Sequence, residues 1–349
     1  MALLGLRKLL TGAIAAGLML SFGAGTAHAE KWRIATLAPP GSVWMKILNE
    51  GAAHLEKDTQ GRVGIKYYAG GVQGDERDVI RKMRLGQLDG GAMTSVGLSM
   101  ISQSVRVIEL PRMFNSRREM AYARARMWGT FRRRFLKKGF ELGDPGEVGP
   151  ISFYSKKKIT ALGQLRGHKV WMWTDDKLVR EIYKFLNIRG IPLGVPEVQP
   201  ALAGGKIDAF YTSPVAAVSL QWYSKVKFVT SMPLSYAISA SVITTKAWDR
   251  ISDADKKTQR ALAKKYGKKL RKNVRRQTRK ARAAMSSSVT TVETPAAMVA
   301  EFDAAAQKVW CSLIGSVYSK RDLQRVLKYR DEYRKKKGQP AGPVPKCAQ

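Results

Sequence analysis

Thr59–Ser95 reads TQGRVGIKYYAGGVQGDERDVIRKMRLGQLDGGAMTS, and its alternation of element types decides the fold. Arg62–Ala69 (RVGIKYYA) is β-branched and aromatic and reads as a strand. Gly70-Gly71-Val72-Gln73-Gly74-Asp75 breaks it, Glu76–Leu85 reads as a helix, and Gly86–Gly90 stops that helix before an apolar strand ending at Thr94-Ser95. Upstream, Lys31–Leu37 is a further strand, and Ala38-Pro39-Pro40-Gly41-Ser42 is a turn whose Ser42 is placed to cap the next helix. That helix, Val43–Thr59, carries Val43, Ile47, Gly51 and Leu55 at steps of four, with Trp44 one position off the stripe. Strand, helix, strand, helix, strand with short loops implies parallel strands covered by helices.

The 349 residues suffice for two domains. Arg7 and Lys8, the apolar run Leu9–Gly25 and the small-residue pattern Ala27-His28-Ala29 read as a cleavable secretory signal, giving an expected mature start at Glu30 and a periplasmic location. No later run reaches the roughly 18 apolar residues of a spanning helix. Cys311 and Cys347 are a candidate disulfide pinning the C-terminal tail to the preceding helix, with two free thiols as the alternative. The formal charge of +35 calls for an anionic partner or serves solubility; export turns the first reading from nucleic acid, which is not expected as a partner, to anionic envelope surfaces.

Downstream, Arg117–Lys138 reads as a basic helix, Gly143–Pro150 as a Gly/Pro-rich crossover to a second domain, and Ile151–Tyr154 as a strand. Ile159–Trp173 (ITALGQLRGHKVWMW) ends in a strand that sets Trp171 and Trp173 on one face, either as core or as an aromatic ligand wall offering two indole N–H donors. A helix over Asp175–Leu186, a strand over Tyr236–Thr244, a long helix opened by Ser252-Asp253 and helices over Ala296–Tyr318 and Arg321–Lys336 complete the chain. Lys256–Arg282 holds 14 Lys or Arg and no acid, around one apolar stripe of Leu262, Tyr266, Leu270 and Val274.

The opening stretch followed by Ile108–Phe114 (IELPRMF) resembles the extracytoplasmic solute-binding proteins of TRAP transporters, DctP-like receptors in which a T-G-G-R turn, a gqLGde loop, a G-x-iD helix end and an l-P-f-F segment occur in this order. The resemblance continues through Ile159, Leu162, Leu165, Gly167, Lys169 and Val170, and through Pro192, Pro196-Glu197, Ala201-Leu202, Gly205–Asp208 and Pro214, so that it spans Trp32 to about Val292. It implies an α/β fold: a two-domain, type II-like periplasmic binding protein with mixed sheets flanked by helices and a ligand cleft at the hinge. The implied organisation is a signal over 1–29, a first domain over 30–148 plus about 237–276, a second over 149–236 plus about 277–336, and an extended tail over 337–349.

The sequence departs from the family where the family clamps a carboxylate. The position of its K-i-R arginine is Trp171, and the position of a second arginine common in acid binders is Ile151. An unpaired carboxylate buried there would cost several kcal/mol or more. The aligned positions instead offer Trp171, Trp173, Ile151, Phe153, Tyr211, Val195 and Trp44, with Thr94, Ser95, Thr212 and Ser213 for hydrogen bonding. The expected ligand is a non-acidic apolar or aromatic small molecule, delivered to membrane transporter subunits. A carrier of a lipid-like ligand is one alternative, and an envelope scaffold using the basic surface over Lys256–Arg282 on an anionic partner is another. No catalytic, cofactor or metal-binding motif is found, and no enzyme activity is expected.

Overall fold

The computed structural model describes residues 29–349, so the expected signal segment lies outside the described residues except for Ala29. The first lobe begins with β1 (Glu30–Thr36), α1 (Val43–Asp58), β2 (Val63–Tyr68), α2 (Glu76–Arg84) and β3 (Gly90–Thr94). β1 lies between β2 and β3, and both pairings are parallel. Ser42 Oγ accepts the Met45 N–H to start α1, and Asp75 with Asp78 forms a capping box at α2. α3 (Ser95–Ile101), a 3₁₀ segment (Gln103–Glu109) and α4 (Arg117–Leu136) follow.

The Gly/Pro-rich stretch expected as a crossover loop is instead the middle of one 16-residue strand, β4 (Phe140–Ser155). Irregularities between Leu142 and Pro145 and between Glu147 and Gly149 absorb the residues that a regular ladder would reject. Gly149, at φ +123°, is one such point.

The second lobe contains α5 (Leu162–Leu165), β5 (Val170–Trp173), α6 (Lys177–Phe185), β6 (Gly190–Leu193), α7 (Val195–Ala203), β7 (Ala209–Thr212), α8 (Pro214–Ser219) and β8 (Phe228–Thr230). The chain then returns through β9 (Ser235–Thr244), α9 (Thr245–Trp248), α10 (Asp253–Met285), β10 (Thr290–Val292), α11 (Ala296–Ser312) and α12 (Lys320–Lys335). The strand order is β2-β1-β3-β9-β4-β7-β5-β6, with β8 paired to β4 and β10. β4 belongs to both halves, pairing antiparallel with β9 up to Ile151 and with β7 from Ser152.

One face of the first half-sheet packs on α2, α3 and α4 in a core that includes Met127, Phe131 and Phe135. α1 and α10 cover the other face, where Trp32, Ile34, Leu262 and Tyr266 are buried together. At 33 residues α10 is about 50 Å long, and it touches α1, β4 and α8, so it ties the two lobes together. The division that placed about 277–336 in the second domain fails for α12. This helix packs along α4 of the first lobe, where Arg134 holds Asp322 through two bonds of 2.9 and 2.8 Å. Cys311 and Cys347 form a disulfide with Cα atoms 5.8 Å apart, which ties the tail beside these helices.

Candidate ligand-binding site

A cavity of about 810 Å³ opens between the lobes. Its walls include Trp44, Thr94, Ser95, Ile151, Phe153, Trp171, Trp173, Val195, Tyr211 and Thr212. Ser213 does not line it; the residue is fully buried, and its Oγ caps α8 by accepting the Ala216 N–H at 3.2 Å. The other hydroxyls expected to meet ligand are also largely committed. Thr94 Oγ1 donates to Glu76 and accepts from Val96 N–H, and Ser95 Oγ sits between Glu109 and Arg106. Thr212 is the one of the four whose hydroxyl has no protein partner among the described residues.

Trp171 is a wall rather than an open platform, with 2% of its surface exposed. Its ring stacks on Tyr211 at 4.8 Å and meets Trp222 edge-on at 5.3 Å, so the aromatic face is held by its neighbours. The two indole N–H donors expected for a ligand are both taken: Trp171 Nε1 donates to Leu193 O at 3.0 Å and Trp173 Nε1 to Asp75 Oδ2 at 2.9 Å. An indole N–H left bare in so buried a wall would be costly, and each finds the nearest acceptor. Trp44 follows the same rule, donating to Glu147 O at 3.2 Å.

Sequence reasoning missed a buried arginine. Arg106, in the 3₁₀ segment, lines the cavity and reaches across to the second lobe, where its Nη2 bonds both oxygens of Asp176 at 2.8 Å. Its Nη1 bonds Glu109 Oε2 at 2.6 Å. Asp176 is itself the N-cap of α6, accepting from Leu178 and Val179 N–H. Burial opposes the charge on Arg106, but Asp176 and Glu109 outweigh burial and hold its pKa above the ordinary value. Burial raises Glu109, with Arg106 drawing it back down. A signal was available in the sequence: Arg106 and Glu109 interrupt the otherwise apolar run Val105–Leu110, and charges in such a run are seldom buried without partners.

Glu76, the first residue of α2, sets its carboxylate against the N-terminus of α3, accepting from Thr94 N–H and Gly97 N–H at 2.6 Å each. Burial pushes its carboxyl up to about 8, against the pull of those donors. Among the described residues, no group of three or more His, Cys, Asp or Glu is placed to hold a metal ion.

Besides Arg106–Asp176, two polar links cross beside the cavity, and Arg112 Nε bonds Asp303 Oδ1 of α11 at 2.5 Å as a further link between the lobes. Asp75 Oδ2 accepts from Trp173 Nε1 and from Val195 N–H at 3.1 Å, and Arg77 pairs with Asp175. The approach is close enough that a Cβ on Gly194 would stand 2.7 Å from Asp75 Oδ2.

Two lobes joined by shared strands, with a cavity between them, define a two-domain α/β binding protein. The profile of the bacterial extracellular solute-binding proteins, family 7 (DctP), matches residues 34–315, and the chain belongs to that family. A solute-binding protein of Chromohalobacter salexigens is 24% identical over 261 residues, which is 73% of this chain and 76% of that one. The fold is similar to a Bordetella pertussis extracytoplasmic solute receptor binding pyroglutamic acid, with TM-score 0.80, 18% identity, and coverage of 86% of this chain and 99% of that one. It is likewise similar to a TRAP periplasmic solute-binding protein of Xanthobacter autotrophicus with bound β-D-galacturonate, with TM-score 0.79, 21% identity, and coverage of 86% and 99%.

Proposed function

We propose that this chain is a periplasmic receptor of a TRAP-type transport system that binds a non-acidic, apolar or aromatic small molecule between its lobes and hands it to membrane subunits. The observation that carries this reading is the state of Arg106. An acid ligand needs an available cation, and Arg106, the cation beside Trp171 and Tyr211, is already bound by Glu109 and Asp176, while the other cations of the lining, Arg132, Arg133, Arg260 and Lys264, stand on α4 and α10. Two carboxylates on one guanidinium leave that end of the cavity with an excess of negative charge, while Trp171, Phe153 and Tyr211 supply apolar surface. The two similar structures bind acids, so the reading separates this receptor from them in ligand class.

Native mass spectrometry of protein purified from periplasm, followed by tryptophan-fluorescence titration with phenol, galacturonate and pyroglutamate, tests it. A neutral co-purified ligand and a response to phenol alone are expected; tight binding of either acid would overturn the reading. A second surface supports a further partner. The outward face of α10 carries cations without ion-pair partners among the described residues, which favours contact with an anionic envelope surface.

A further inference from the structure

The cavity does not end at the interlobe cleft. Its lining continues along the face of the first half-sheet that α1 and α10 cover, from Thr94 past Ala92, Ser239 and Ser241 to Leu262 and Leu270. The cause lies in the sequence of the strands. On that face β9 presents Ala237, Ser239 and Ser241, β3 presents Ala92, and β4 presents Gly143 and Gly146, where a packed layer would hold Val, Ile or Leu. The helices above cannot descend to meet them, because Trp32, Ile34, Leu55 and Tyr266 hold the helices at their ordinary height nearby. Ala92, Ser239, Ser241, Ile65 and Tyr67 are therefore only half-buried although they sit between two layers. Tyr67 lines this space, and its hydroxyl makes no hydrogen bond among the described residues.

Interiors rarely tolerate voids larger than a water molecule, and a void lined mainly by carbon is a poor place for water. We propose that this space is a chamber for an apolar chain, and that the ligand is a neutral-headed amphiphile whose head sits in the cleft near Trp171 while its chain runs between the sheet and helices α1 and α10. The inference rests on the reading of the cleft as the site of a non-acidic ligand and adds the chain to it. Trp44 to Leu55 of α1, which roof the space, span about 16 Å, enough for a chain of medium length. At the far end the lining reaches Leu136, which is 53% exposed, and Lys264, at the surface between α4 and α10, so a longer chain has an exit.

The test is a chain-length series on the mature protein by isothermal calorimetry: phenol, 4-butylphenol and 4-octylphenol, with galacturonate as the acid control. Affinity is expected to rise about three- to fourfold per methylene until the chamber is filled, at a stoichiometry of one per chain. Ala92→Met and Ser241→Met fill the chamber with a flexible side chain, and each is expected to lower the ratio of octylphenol to phenol affinity at least tenfold. Because the readout is a ratio, a variant that folds less well moves both terms and does not imitate the effect. Octylphenol binding no tighter than phenol, or a ratio unchanged in both variants, overturns the chamber while leaving the cleft reading intact. Galacturonate binding with no response to any phenol overturns the cleft reading and the chamber with it.

Discussion

In the proposed reading ligand class turns on Arg106, since the family resemblance sets the clamp positions at Trp171 and Ile151 and this guanidinium lines the cavity from a different element. Glu109→Gln removes one of its two carboxylates and keeps an acceptor near Ser95 and Ile238 N–H. The freed positive charge should raise affinity for galacturonate or pyroglutamate at least tenfold, on the order of 1.4 kcal/mol, read by fluorescence titration. The same variant should lower stability by about 1–3 kcal/mol, because buried donors lose a charged acceptor. Glu76 makes a separate prediction about pH. Its folded pKa is raised from an ordinary 4.5 to about 8 by burial, so the folded state favours the protonated carboxyl. Its contribution to stability is therefore complete below pH 4.5 and is lost as pH rises towards 8. Thermal melts between those limits should show stability falling with pH, and Glu76→Gln should flatten the trend; an unchanged slope in the variant would assign the pH dependence to other groups.

At the scale of the element, α10 is where charge and structure conflict. Lys257, Lys264, Lys268, Lys272, Arg275, Arg279 and Arg282 recur at helical spacing on its exposed side, over about 37 Å. Neighbouring like charges at these spacings destabilise a helix, so packing of Leu262, Tyr266 and Val274 must hold it. Replacing Lys264, Lys268, Lys272 and Arg275 by Gln should raise stability by about 1 kcal/mol at low salt, with the gain vanishing near 1 M salt. Flotation with anionic vesicles should show binding by the parent chain and little by the variant; equal flotation of both would remove α10 as the contact surface. This stripe and the opening β-α-β-α-β pattern were legible because both depend on spacing within a segment. β4 was not: its glycines and prolines signal a loop, and only pairing with β9, nearly a hundred residues away, makes them strand. Arg106 escaped for the same reason, since Asp176 lies 70 residues on. Trp171, Trp173, Phe153 and Tyr211 line the cavity, but the use of the indole N–H groups by Leu193 and Asp75 depends on how the lobes meet.

For the whole molecule, the issue is what keeps the lobes together. Three links cross beside the cavity, Asp75 to Trp173 and Val195, Arg77 to Asp175, and Arg106 to Asp176, and Arg112 to Asp303 of α11 is a fourth bond between the lobes. The Arg77–Asp175 pair is exposed on the arginine side and screened by salt, so it contributes little. Arg106–Asp176 is buried, and removing either partner would strand a charge, which makes it a poor site for testing closure. Asp75 combines both virtues, because it bonds an indole N–H and a backbone N–H of the second lobe while capping a helix of the first. Asp75→Asn retains a cap and a single acceptor, whereas Asp75→Ala removes the crossing altogether. If these bonds hold the lobes shut without ligand, small-angle scattering of ligand-free Asp75→Ala should show a larger radius of gyration than the parent. Trp173 emission should shift to the red as its ring meets water. Asp75→Asn should fall between the two, and saturating ligand should return all three to one compact form, since ligand contacts with both lobes replace the lost bonds. A ligand-free Asp75→Ala as compact as the parent would mean instead that the shared strands β4 and β9 and helix α10 fix the closed form by themselves.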